Sequence, residues 1–593
     1  MRTIRQNIAT AILGFLAFVV APCCAMAGQG ACPRPAQGSV ISNPPGLYSQ
    51  NGVLKVSLGY FTTVDKWGRT LFCYTTPDGL DAPTLHLNPG DVLDLTLTNM
   101  EATLINSGRN GGAALAILQS LGSGAETLTD PARACASNTM TVMSVNLHFH
   151  GLNVSPRCHA DDVIHTVINP GESFEYKFKI PKDEPPGMYW YHQHIHGISS
   201  PAVQGGASGA IEIEGIANLQ PAVQGLPERY LIVRDQPLAN PPAPGQPTLT
   251  QVPFWDVSLN YVPISYPKYV PGIIQMQPGA QEFWRVVNAS ANTILDLQLL
   301  YDSKAQPIQI VAFDGVPTGS QDGHHQGTIV TQQDVLIPPA GRVEFIVTGP
   351  SASVKRAVLY TRRIDTGPAG DVDTTRPLAK IHLTHNLKKI PKPILATDVR
   401  VDGQRFAGVT DAMVTAHRTL YFDEHIGVSK KNPGAGMVFF ITVKGEYERY
   451  YSPENPPAIT TTRGAVEDWT IENHTKEVHE FHIHQIHFQV LAVNGNAIPP
   501  DKRQWYDTYQ VPYYTGKGPW PSIKVRMDFR GAVVGEFVYH CHILDHEDDG
   551  MMANILVLPA VPPPNGHPGN SPTHQASLTG STNRRLGRLR TRA

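Results

Sequence analysis

Hydrophobic and polar residues alternate with a period of two through many short runs of this chain, and one such run recurs. Residues 89–99 read PGDVLDLTLTN, residues 278–288 read PGAQEFWRVVN and residues 463–473 read RGAVEDWTIEN. Each holds a glycine, eight mostly alternating residues and a closing asparagine. Period-two alternation marks a strand with one buried face, and the glycine marks the turn before it. Three copies at long, nearly equal intervals predict three copies of one domain rather than a short-period solenoid. The expected domains are 40–218, 222–388 and 394–560, with LANPPAPGQP at 238–247 as a loop and KKIPKP at 388–393 as a linker. With 52 glycines and 51 prolines between the runs, the chain reads as all-β. His479 follows the repeat's asparagine by six residues in the third copy, whereas His148 follows it by 49 in the first. A Gly-, Ala-, Ser- and Thr-rich insertion at about 101–145 accounts for the difference. After Pro559 the composition falls to Pro, Gly, Ser, Thr and Arg, and residues 561–593 read as a disordered tail.

Composition narrows the class. The 593 residues carry a formal charge of −3, which gives no reason to expect nucleic acid as a partner. Residues 1–27 read as a secretory signal: Arg2 and Arg5, an uncharged apolar run at 8–21, and AMA at 25–27. The mature chain is then expected to be secreted or periplasmic, without a membrane span. Three N-x-S/T triplets, at Asn153, Asn288 and Asn473, matter only in a eukaryotic host. Cys23 and Cys24 leave with the signal, so Cys32, Cys73, Cys135, Cys158 and Cys541 remain. In an oxidising compartment four can pair, in any of three ways, and one is left over. Cys135 and Cys158 bracket the segment carrying His148 and His150, and a bridge between them would tie down the insertion; Cys32 or Cys73 are the rival partners. Cys541 is the natural odd one, because histidines flank it on both sides.

The histidines carry the chemistry. Random placement of 24 histidines in 593 residues would yield roughly one H-x-H pair. The chain has five: His148/His150, His192/His194, His194/His196, His482/His484 and His540/His542. On a strand, residues i and i+2 share a face, so each pair projects two imidazoles toward one place. Imidazole is the ordinary ligand of copper, zinc and iron. Cys541 would point away from His540 and His542, toward a different site. His479, Cys541 and His546, with Met551 as a weak axial sulfur, form the ligand set of a blue-copper electron-transfer site.

In LHFHG (147–151), WYHQHIHG (190–197), HEFHIHQIH (479–487) and HCHILDHEDDGMM (540–552), the chain resembles the multicopper oxidases built of three cupredoxin domains, the laccase and ascorbate oxidase family. The last stretch is similar to that of the bacterial cuprous oxidases. The resemblance implies three Greek-key β-sandwich or barrel domains and four copper ions per chain. It implies a type 1 copper on His479, Cys541 and His546, with Met551 axial. It implies a type 2 copper on His148 and His482, and a type 3 pair on His150, His192, His194, His484, His540 and His542. His196 and His487 have no ligand role in the family, and His324 and His325 read as a surface loop. Electrons would arrive one at a time at an exposed edge of His479 or His546. They would pass through Cys541 to the cluster, where dioxygen is reduced to water. Glu547, and one of the adjacent Asp161 and Asp162, stand where the family keeps carboxylates for proton supply. Gln485 departs from the family, where a glycine is frequent.

The reducing substrate is the open question. Twelve methionines are scattered without a cluster, and soft sulfur is what would hold a copper(I) substrate. A phenol or aromatic amine is therefore expected, with a metal ion (copper(I) or manganese(II)) or bilirubin as the alternative. A copper-free periplasmic scaffold of the same fold is the remote alternative, since here every ligand position is filled.

Overall fold

The structure, a computed structural model, describes residues 32–101, 135, 140–242, 252–320, 327–384, 405–427 and 436–560. The expected signal (1–27), nearly all of the insertion, the later half of 238–247, the linker at 388–393, His324, His325 and the tail (561–593) lie outside the described residues.

The recurring sequence is a recurring structure. Its three copies are the strands Val92–Asn99, Gln281–Asn288 and Val466–Asn473. Each pairs in parallel with one strand and antiparallel with another: Val53–Val64 and Ser173–Lys179, Glu228–Pro237 and Arg342–Thr348, Ala416–Gly427 and Ser522–Asp528. The glycine before each strand has a positive φ, 92° at Gly90, 67° at Gly279 and 101° at Gly464, which a side chain would resist. The closing asparagine explains its own recurrence. Asn288 Nδ2 donates to the carbonyls of Thr293 and Ile337, and its Oδ1 accepts from Ser290 N. Asn99 does the same with Met143, Ile168 and Glu101, and Asn473 with Glu477, Val511 and Thr475. Each asparagine thus satisfies three backbone groups where the chain leaves the sheet. Asn153, Asn288 and Asn473 are buried, so none of the three N-x-S/T triplets presents an acceptor for glycosylation.

Six sheets form among the described residues, in three sequence-contiguous pairs. A five- and a four-stranded sheet lie within 46–213, an eight- and a six-stranded sheet within 228–383, and a seven- and a five-stranded sheet within 416–558. Each pair closes over one apolar core fed by alternating residues, such as Leu93, Leu95 and Leu97 in the first and Trp469 and Ile471 in the third. The elements that carry or flank the histidines are labelled β1 (His148–His150), β2 (Gly187–His192), β3 (Arg342–Thr348), β4 (His479–Ile483), β5 (Thr508–Val511), β6 (Gly535–Cys541), α1 (Leu544–Asp548) and β7 (Met552–Leu558). Cys135 is bonded to Cys158 and Cys32 to Cys73, leaving Cys541 as the one free thiol among the described residues. No helix among the described residues is long and apolar enough to cross a membrane.

Candidate metal centres

The histidine pairs meet because their strands do. β1 pairs antiparallel with β2, setting His148 opposite His192, and β4 with β6, setting His482 opposite His540. The pairs sit at strand ends. His148 and His150 are both on β1, but His194, His484 and His542 lie just beyond the last residue of β2, β4 and β6. The placing of both rings on one strand thus holds for His148 and His150, while in the other pairs the second histidine stands past the strand end. Past the last strand residue the chain bends. Left-handed Gly151 (φ 87°) and Gln485 (φ 60°) mark two of these bends, which explains why a glycine suits position 485.

Eight rings converge. His148 stacks on His484 at 3.7 Å between centroids, and His150 on His482 at 4.1 Å. His150, His192 and His542 bring one ring nitrogen each within 4.8 Å of one another, as do His194, His484 and His540, and His148, His150 and His482. The ring nitrogens divide into two kinds. One nitrogen of each of four rings meets an oxygen: His148 Nδ1 at Asp161 (2.9 Å), His150 Nε2 at Asp507 (3.0 Å), His192 Nδ1 at the Gln193 carbonyl (2.9 Å) and His482 Nδ1 at the Asp507 carbonyl (2.8 Å). The other nitrogen of each is buried without a protein partner. A ring that donates one N–H and leaves its second lone pair bare is poised for a metal. Burial pushes the imidazoles of His150, His192, His194, His482, His484 and His542 well below their usual range and that of His540 to about 3, so these rings stay neutral.

The second centre lies across β6. Cys541 Sγ is 3.6 Å from His479 Nδ1 and 3.8 Å from His546 Nδ1, and the two nitrogens are 3.1 Å apart. A point equidistant from the three atoms lies about 2.0 Å from each, a metal–nitrogen bond length and a little short of a metal–sulfur one (~2.3 Å). Burial pushes the Cys541 thiol well above its usual range, so a thiolate here needs a cation beside it. Met551 is fully buried; its N–H donates to the His546 carbonyl and its carbonyl accepts from Cys541 N, which ties it to two of the three residues. Met552 faces the other way, packed with Tyr451 and Val538. Of the two histidines named as points of electron uptake, His479 is fully buried with its Nε2 on Thr475 Oγ1, whereas His546 keeps 8% of its surface exposed. Of the two, only His546 has an exposed edge.

The carboxylates separate as clearly. Asp161 accepts from His148 Nδ1, the Phe149 N–H and Gln485 Nε2. Asp162 turns away and holds the turn at His165. Glu547 is fully buried, 3.3 Å from His540 Nδ1 and 3.7 Å from His194 Nδ1. His487 donates to the Asp314 carbonyl and His196 packs on Tyr451, so both lie beside the cluster rather than in it. Sequence reasoning did not find Asp507. No neighbouring motif marks it, and its proximity to His150, 357 residues away, exists only in the fold.

A buried thiol between two imidazoles, backed by a nest of eight more, makes this an all-β protein with a donor set that suits copper. Profiles of the multicopper oxidases match residues 133–217 and 432–561. A multicopper oxidase of Staphylococcus haemolyticus is 24% identical over 429 residues, 70% of this chain and 77% of that protein. Two solved structures share the fold. A Campylobacter jejuni multicopper oxidase described as a metallo-oxidase has 22% identity and TM-score 0.60 over 88% of this chain and 96% of its own. A laccase-like enzyme of Ochrobactrum has 20% identity and TM-score 0.58 over 87% and 100%. The family profiles, the curated relatives and the solved structures all point to one family, the multicopper oxidases, copper oxidoreductases with oxygen as acceptor.

Proposed function

We propose that this oxidase takes single electrons from a small organic reductant, a phenol or an aromatic amine, at the exposed edge of His546. His479, Cys541 and His546 would hold one copper, with Met551 as a further sulfur beside it. His148 and His482 would hold a second, and the sets His150/His192/His542 and His194/His484/His540 the remaining pair. Copper in these places supplies reversible one-electron transfer and the four-electron reduction of dioxygen to water.

One observation supports the coupling of the two centres: Cys541 contacts His479 and His546 through its sulfur while its chain neighbours His540 and His542 belong to the cluster. Covalent bonds link the sulfur to both rings, and for His540 a hydrogen bond adds a shorter path, since its Nδ1 donates to the Cys541 carbonyl at 2.9 Å. Glu547 and Asp161 touch cluster rings and would hold the protons that dioxygen reduction consumes. The two disulfides and the apolar N-terminal segment support a secreted or periplasmic location.

The aromatic face of Phe439, stacked on His546 at 4.3 Å, supports an organic substrate. A metal-ion substrate is the second reading, because Glu477 Oε1 lies 3.5 Å from His546 Nε2. Oxygen uptake with a phenol, bilirubin, copper(I) and manganese(II) decides between them. Under the first reading Glu477→Gln leaves phenol turnover within about twofold; loss of metal-ion oxidation alone in that variant would establish the second. Cys541→Ser tests the whole assignment. It should give a folded, colourless protein without oxidase activity, and a blue Cys541→Ser protein would refute it.

A further inference from the structure

The middle third of the chain contributes no histidine to the cluster, yet it reaches the cluster through one arginine. Arg342 opens β3 and is fully buried. Its Nη1 and Nη2 donate to Asp507 Oδ1 and Oδ2 at 2.8 and 2.6 Å, a two-pronged ion pair, and its Nε donates to the Met188 carbonyl. Asp314, also from the middle third, accepts from the backbone N–H of Arg342 and of Asp507. Asp507, immediately before β5, is thus held from both sides, and its Oδ1 faces His150 Nε2 at 3.0 Å. Its backbone carbonyl accepts from His482 Nδ1.

Gly151 shows how closely the pieces fit. A Cβ there would lie 2.5 Å from Arg342 Nη2 and 2.7 Å from Asp507 Oδ2. The glycine after His150 therefore makes room for the ion pair as well as adopting a left-handed turn.

We infer that Asp507, clamped by Arg342 and Asp314, is a positioning residue: it takes the Nε2 hydrogen of His150 and so presents the bare Nδ1 to the cluster, making the middle third the brace for that ligand. A carboxylate on a ligating imidazole fixes the tautomer and the ring plane. Bidentate guanidinium pairing holds that carboxylate in one orientation, which a lysine cannot do. Asp507→Asn keeps the size but sets an NH2 group against Arg342 Nη2. Arg342→Lys keeps the charge but loses the fork.

The inference rests on the cluster holding copper, and the experiment keeps the two claims apart. A copper chelator is titrated into the holoprotein while total bound copper and the blue absorption of the Cys541 centre are followed together. In Asp507→Asn, copper outside the blue centre should leave at about 10- to 100-fold lower chelator concentration than in the parent, the usual cost of removing such an outer partner. The blue band should leave at the parent's concentration. Arg342→Lys should shift in the same direction by less, and it decides the matter if Asp507→Asn does not fold. Unchanged release in Arg342→Lys and in a folded Asp507→Asn overturns the inference. A parent that holds copper only at the blue centre overturns the proposed function itself.

Discussion

At the scale of single residues, chemistry is set by which atom of a side chain is left free. His150 and His482 are both buried imidazoles of H-x-H pairs, yet one leaves Nδ1 bare and the other Nε2, because their hydrogen-bond acceptors differ. Met551 and Met552 are adjacent, but only Met551 is tied to Cys541 and His546. Met551→Leu should keep the blue colour and raise the reduction potential of that centre, read by redox titration, because an axial sulfur tunes the site without making it. A colourless Met551→Leu protein would show that the axial ligand is another residue. Glu547 touches two cluster rings through its carboxylate. Glu547→Gln should leave copper content and colour intact and slow reoxidation of the reduced protein by oxygen about 10- to 100-fold, consistent with the usual weight of general acid–base groups. Wild-type reoxidation in stopped flow would transfer the role to Asp161.

At the scale of elements, the recurring strand is the unit of construction. Its asparagine is conspicuous in the sequence, but its purpose is not. Three backbone groups converge on each copy, and two of them come from segments the sequence does not mark. Asn288→Ala removes all three bonds in the copy whose domain lends no histidine to either centre. With roughly 1–3 kcal/mol per orphaned buried group, the loss should be about 3 kcal/mol once partial relaxation is allowed. Calorimetry should show a lower melting temperature at unchanged copper content, and amide exchange should quicken around 281–288. The strands were legible because period-two alternation is local. The bends that gather His194, His484 and His542 were not, because they depend on where a strand loses its partner.

At the scale of the whole molecule, a second buried ionic cluster lies where the first sheets meet the middle ones. Arg285 pairs with Glu212, Glu228 and Glu344, and His86 bridges Glu212 and Glu214. One guanidinium serves three carboxylates, so burial raises Glu228 to about 8 and Glu344 to about 7. A carboxyl near 8 in the fold and near 4.3 when unfolded keeps its proton only while folded. Its contribution to stability is full below about pH 4 and is lost as pH rises to about 8. Burial would lower His86, but Glu212 and Glu214 outweigh it and raise it to about 9, which adds a loss in the same direction as pH rises above about 6.5. Relative to the parent, Glu228→Gln, which keeps a neutral side chain, should therefore gain in melting temperature between pH 5 and pH 8. An equal pH dependence in Glu228→Gln would show that other groups control it.

The amino-acid sequence by itself determined the strands, the recurrence of one of them, the odd cysteine and which histidines come in pairs. All of these are carried by short-range patterns: alternation, H-x-H spacing, and a thiol set between two imidazoles. The tertiary structure alone decided which of Asp161 and Asp162 faces the cluster, which histidine reaches the surface, and that Asp507 and Arg342 stand behind His150. These are contacts between residues tens to hundreds of positions apart. Each exists only because separate sheets close over the same few ångströms of buried space, and no spacing along the chain encodes that closure.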